Sequence, residues 1–152
     1  MKRILGLDVG DRRIGVAISD ELGIAARGLH TLERSNIKND TQSILDTIRE
    51  NDCSAVVIGL PLNLSGQDSV QTEKVRAFAQ KLENKLKSNA MQGIAVELYD
   101  ERFTTTIAEN AMKEAGASRA TIKEAIDEQA ATVILQDWLQ SCKTKGDGSC
   151  VL

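Results

Sequence analysis

The first two apolar runs, Ile4-Leu5-Gly6-Leu7 and Ile14-Gly15-Val16-Ala17-Ile18, are short and are separated by a polar Gly/Asp/Arg segment that begins at Asp8. Runs of this length joined by a Gly/Asp turn predict a β-hairpin. Arg27 to Leu32 is expected to add a third strand. The period then lengthens: Ile37, Ile44, Leu45 and Ile48 share one helical face, and Asn36 can cap that helix. Ala55-Val56-Val57-Ile58-Gly59 is a β-branched run of the kind found in buried parallel strands.

Pro61, the only proline, opens a polar loop to about Asp68. A long amphipathic helix is predicted next, with Val75, Phe78, Ala79, Leu82 and Leu86 on its apolar face. Ile94 to Tyr99 is the last strand candidate. Ile107, Ala108, Ala111, Met112 and Ala115 mark a helix ending at Gly116. Ser118 or Thr121 can open a final helix whose inner face carries Ile126, Ala130, Ile134 and Trp138, flanked by Ala131 and Leu135. Three strands followed by alternating helices and strands predict an α/β fold: a five-stranded mixed sheet, an opening meander and then parallel strands, with helices on both faces.

Composition narrows the class. The chain has 152 residues, 41% hydrophobic and 27% charged, which suits one folded domain and excludes a disordered chain. We expect a single domain over residues 1–140 and a disordered tail over 141–152. No apolar stretch approaches the roughly 20 residues of a membrane span, and no secretory signal is evident, so a cytoplasmic protein is expected. Three separated cysteines, Cys53, Cys142 and Cys150, and a single histidine argue against a disulfide framework or a structural zinc site.

Asp8 is the first candidate for chemistry. It ends an apolar strand, and ligand sites in open α/β sheets lie beyond the carboxyl ends of strands. An Asx-type turn would also account for it, but Gly6 and Gly10 nearby suit close approach of a ligand to the backbone. Asp100-Glu101-Arg102 follows the last strand, and only one of its two carboxylates can share a face with Asp8. Taken alone, that segment reads as a solvated loop. Asp127 borders the apolar stripe of the final helix, where an unneutralised carboxylate is costly. Three carboxylates from a first strand, a last strand and a last helix can surround one or two Mg²⁺ ions, the arrangement used in phosphodiester hydrolysis. Arg12, Arg13 and Arg102 are candidate phosphate contacts against ordinary surface charge. His30 reads as structural or exposed, and Gln129 and Gln136 read as solvated or helix-packing positions.

Taken in order, Gly6-Leu7-Asp8-Val9-Gly10 with Arg13-Ile14-Gly15-Val16-Ala17, Gly59-Leu60-Pro61 with Gly66, Asp100-Glu101-Arg102 with Thr104-Thr105, and Ile126-Asp127 with Ala130-Ala131 and Ile134-Leu135-Gln136 closely resemble the YqgF/RuvX family. The resemblance covers about residues 2 to 140. It implies an RNase H-like fold related to Holliday-junction resolvases, and a nuclease acting on the 5′ end of pre-16S ribosomal RNA. By the same resemblance Asp8, Glu101 and Asp127 would be the catalytic, metal-binding set for Mg²⁺, with Mn²⁺ as a substitute. Gly10, Arg13, Arg102 and Thr105 would contact substrate. The wider resolvase pattern expects an acid at the end of the middle strand, where this chain has Gly59; Glu101 would substitute from the neighbouring strand.

The implied partners are structured nucleic acid, pre-rRNA ahead of DNA junctions, and the small-subunit precursor, bound by a monomer or weak homodimer. Two other readings compete: a non-catalytic RNA-binding assembly factor, or one lobe of an actin-like or sugar-kinase ATPase, which would need a second lobe. A net charge of −3 argues at first against a nucleic-acid partner. Two divalent ions held by the three acids would reverse that sign at the site itself, so binding is expected to depend on metal more than on a broad basic patch.

Overall fold

The opening alternation resolves into β1 (Arg3–Val9) and β2 (Arg13–Ser19), an antiparallel pair with Leu7 opposite Val16 and Asp8 opposite Gly15. The computed structural model describes residues 3–62, 65–100 and 129–141. β3 (Ala26–Glu33) continues the meander antiparallel to β2. Helix α1 (Ile37–Asn51) then carries the chain back so that β4 (Cys53–Leu60) runs parallel to β1. Helix α2 (Val70–Ser88) does the same for β5 (Ala95–Asp100), which lies parallel to β4. The sheet order is β3-β2-β1-β4-β5, and residues 129–141 form a further helix, α3.

Local sequence explains where the helices begin. The Asn36 side chain accepts the amide of Asn39 at 2.8 Å, as its capping role predicts. Ser69 and Thr72 form a reciprocal capping box at the start of α2, and the Thr72 hydroxyl also donates to the Pro61 carbonyl, tying the loop to the helix it feeds. Asp52 ends α1 in the left-handed conformation at φ 53°.

Strand alternation divides the core in two. Leu5, Leu7, Val9, Ile14, Val16, Ile18, Val56 and Ile58 pack with Ile44, Leu45 and Ile48 of α1 and Val75, Phe78, Leu82 and Leu86 of α2. On the opposite face Ile4, Ala17, Ala55 and Val57 pack under Ala131, Ile134, Leu135, Trp138 and Leu139 of α3. The expected mixed sheet with helices on both faces is therefore present. Ile37 departs from the expected stripe: at the first position of α1 it is 38% exposed, because the helix meets the core one turn later. Among the described residues no helix is long and apolar enough to cross a membrane. The helix expected over 107–115 and its end at Gly116 lie outside the described residues, as does the tail expected over 141–152 except for Ser141, which is the last described residue of α3.

Candidate active site

Asp8 occupies the second-last position of the central strand β1, at its carboxyl end, and is half-buried. Ile4 packs under α3, and Gly6 faces Ala131 and Leu135 of that helix. Asp8 follows at the same period of two and so belongs to the α3 face. Its partner on β2 is Gly15. On β4 the register pairs Leu7 with Ile58, which brings Gly59 alongside Asp8. Both strands flanking the carboxylate thus lack a side chain beside it. A single hard-oxygen donor, unobstructed by its strand neighbours, has the chemistry a Mg²⁺ ligand requires.

The turn after Asp8 is braced from outside. The Gly10 amide donates to the Arg13 carbonyl at 2.8 Å, and a Cβ at Gly10 would lie 2.9 Å from that same oxygen. Glycine at position 10 is thus required by the tight turn itself. The carbonyls of Val9 and Gly10 accept hydrogen bonds from Gln71 Nε2 of α2 at 3.3 Å and from Arg34 Nη1 at 2.9 Å. Arg12, exposed at the tip, has no side-chain partner among the described residues, and Arg13 is half-buried at the start of β2.

Helix α3 is held at three points across the sheet. A Cβ at Gly6 would lie 2.8 Å from Leu135 Cβ and 3.2 Å from the Ala131 carbonyl, so the helix rests directly on the β1 backbone. Gln136 accepts the Ala26 amide at 2.9 Å and donates to the Ile24 carbonyl at 3.2 Å, fixing the helix to the start of β3. Trp138 Nε1 donates to Glu97 Oε2 of β5 at 2.9 Å. Gly6, read from sequence as room for a ligand, makes room for a helix. Gln136, read as a solvated or helix-packing position, does dock the helix, through two hydrogen bonds to the chain at the start of β3.

Comparison with known proteins establishes the family and the fold. The RuvX family model, described as a Holliday junction resolvase, matches residues 2–141. The chain belongs to the RuvX family. A protein of Clostridium tetani, named provisionally as a pre-16S rRNA nuclease, is 46% identical over 143 residues, spanning 94% of this chain and 99% of its own. A Myxococcus xanthus protein given the same name is 42% identical over 139 residues, covering 91% of this chain and 88% of that one. Two solved structures share the RNase H-like fold. The first is T. thermophilus RuvC in complex with a Holliday junction substrate, at TM-score 0.58 and 16% identity over 96% of this chain and 97% of that one. The second is the yeast mitochondrial Holliday junction resolvase Ydc2, at TM-score 0.58 and 10% identity over 97% and 82%.

Within this RuvX-family chain, Asp8, Gly10 and Arg13 converge on one end of the β1–β2 hairpin. Glu101, Arg102, Thr105 and Asp127 lie outside the described residues. Among the described residues no three His, Cys, Asp or Glu side chains gather as a metal site. The pairing of Asp100 with Leu60 puts it on the α1/α2 face, so of the Asp100-Glu101 pair it is not the residue that shares a face with Asp8. His30 is exposed on β3, as expected. Sequence reasoning missed Arg34, Asp40 and Gln71. None belongs to a recognisable motif, and the one available signal was a charged pair, Arg34 and Asp40, around the Asn36 cap.

Proposed function

We propose that this chain is a divalent-metal-dependent nuclease that hydrolyses phosphodiester bonds in structured RNA, with the 5′ end of pre-16S rRNA as its substrate. The observation that carries the reading is Asp8: a carboxylate at the carboxyl end of the central strand, between two glycines, on the face covered by α3. The names of the close relatives supply the substrate.

In this reading Asp8, Glu101 and Asp127 hold Mg²⁺. Two features support that set. Glu97 and Tyr99 face the α3 side of the sheet, and Glu101 is the next residue in step with them along the sequence. Asp127 precedes Ala130 and Ala131, both buried against the sheet, by three and four residues. A divalent ion held there would supply Lewis-acid polarisation of the phosphodiester and a site for the attacking water. The chain's own residues do the rest. Asp8 concentrates negative charge where the cation must sit, while Arg12 and Arg13 offer guanidinium groups to the flanking phosphates. Arg102 and Thr105 are further phosphate contacts on this reading.

The test is cleavage of a pre-16S precursor by purified protein in Mg²⁺, with Asp8→Asn as the comparison. The variant is expected to fold normally and to lose about a hundred- to a thousandfold in rate, the scale at which charge-stabilising groups contribute. Cleavage by Asp8→Asn at the wild-type rate would remove the mechanism. The family description favours junction DNA as a second substrate, so a four-way junction belongs in the same assay.

A further inference from the structure

Where β1 gives way to the turn, the carbonyls of Val9 and Gly10 leave the strand ladder and need other partners. Gly10 finds one in Arg34, which is 24 residues away in sequence. The rest of the Arg34 guanidinium is itself held. Nε donates to Asp40 Oδ2 at 3.0 Å, and the group stacks over the Phe78 ring, 5.4 Å from its centroid. The Arg34 amide donates to the Arg12 carbonyl at 2.9 Å, so backbone and side chain grip the same turn at two residues. The Asp40 side chain is only 3% exposed, and its other oxygen accepts the Ser35 amide at 3.0 Å. One side chain therefore joins the β1–β2 turn, the first turn of α1 and the body of α2.

The arrangement uses what distinguishes arginine from lysine: a planar fork that can bond two acceptors in fixed directions while its face lies on an aromatic ring. Fold stability alone does not call for a charged group there, because the turn is already closed by the Gly10–Arg13 hydrogen bond. What the fork adds is direction for the two residues after Asp8 and the two arginines that follow.

We propose that Arg34 is a positioning residue of the nuclease site: by bonding the Gly10 carbonyl while anchored on Asp40 and Phe78, it sets the turn that orients Asp8, Arg12 and Arg13 toward a bound phosphodiester. The proposal rests on the nuclease reading of Asp8. It touches neither substrate nor metal directly and acts through the backbone.

The experiment compares wild type, Arg34→Lys and, as a second variant with the arginine intact, Asp40→Asn. Each is measured by thermal melting, by amide hydrogen exchange resolved at Gly10 and Arg34, and by kcat and KM on the pre-16S precursor in saturating Mg²⁺. Both variants are expected to melt within a few degrees of wild type and to exchange at least about tenfold faster at those two amides, with β4 and α2 protected as before. kcat should fall about 10- to 100-fold with KM within about threefold, the cost of slight misplacement of reacting groups. Wild-type exchange at Gly10 in Arg34→Lys would overturn the proposal, as would a looser turn with unchanged kcat. Faster exchange throughout the sheet, with activity falling only as the unfolded fraction grows, would reduce Arg34 to a structural residue. Absence of cleavage by the wild type would overturn the nuclease reading and the positioning role with it, while the exchange data would still report whether Arg34 holds the turn.

Discussion

The two faces of the sheet are built from the same strands but to different designs. Toward α1 and α2 the strands present Leu5, Leu7, Val9, Ile14, Val16, Ile18, Val56 and Ile58, all large and buried. Toward α3 the same strands present Ile4, Gly6 and Asp8, then Gly15, Ala17 and Ser19, then Ala55, Val57 and Gly59. The first set fills the space between sheet and helices and belongs to the larger of the two apolar clusters among the described residues. The second set is small, which lets α3 approach to backbone contact at Gly6, and it is the face on which the strand ends in a carboxylate. One face is made to be stable and the other to bring groups close together. A catalytic carboxylate fits the second, because a crowd of large apolar side chains would desolvate it without offering a partner.

If that division holds, substitutions on the two faces should separate stability from activity. The largest effect on stability is expected at Leu7→Ala, which removes a fully buried side chain from the larger core and should cost about 3 kcal/mol in denaturant unfolding. Cleavage per folded molecule should stay close to wild type. If the rate collapses while the fold persists, the two faces are coupled more tightly than their packing implies. Gly6→Ala should cost less, about 2 kcal/mol, because the new methyl meets Leu135 Cβ at 2.8 Å and the helix must shift. Its effect on cleavage should nevertheless exceed that of Leu7→Ala, since α3 leads back in sequence to Asp127. Equal activity in the two variants would erase the contrast.

The smallest effect comes from Cys53, the one thiol of the larger core among the described residues. Burial pushes Cys53 up to about 11 from an ordinary value of 9.0; Arg3 pulls it partly back and Asp52 adds to the rise. The folded state therefore holds this proton more tightly than the unfolded chain does. The resulting stability is fully present below pH 9 and is lost as the pH rises toward 11, at most roughly 2 kcal/mol. Unfolding free energies of wild type and Cys53→Ala, measured from pH 8 to 11, should converge by that amount. A constant difference would mean that the thiol is not protected by the core. Below pH 8 Cys53 should also resist alkylation in the native protein.

Much of this arrangement was legible in the sequence. The strands, the Asn36 cap, the long amphipathic helix, and the Ala130, Ile134 and Trp138 stripe with its flanks Ala131 and Leu135 all follow from periods of two and of three to four, which are local properties. Asp8 stood out because a charged residue closing an apolar strand is locally incongruous. Gly6 was misread, and Gln136 was read without its partners: the partner of Gly6 is a helix some 125 residues later, and the partners of Gln136 are the backbone of Ile24 and Ala26, about 110 residues earlier. No pattern within a window of a dozen residues carries that information.

By itself, then, the sequence determined which segments alternate, which turn helical, where a carboxylate ends the first strand, and, through its ordered motifs, the family. Tertiary structure decided the rest. It put Asp8 on the small-residue face between Gly15 and Gly59 and turned Asp100 to the other face. It also brought Arg34 onto the Gly10 carbonyl and Gln136 onto the start of β3. Periodicity is set by the geometry of neighbouring residues, whereas the partner of a guanidinium or an amide is set by which distant strand the crossover helices deliver beside it.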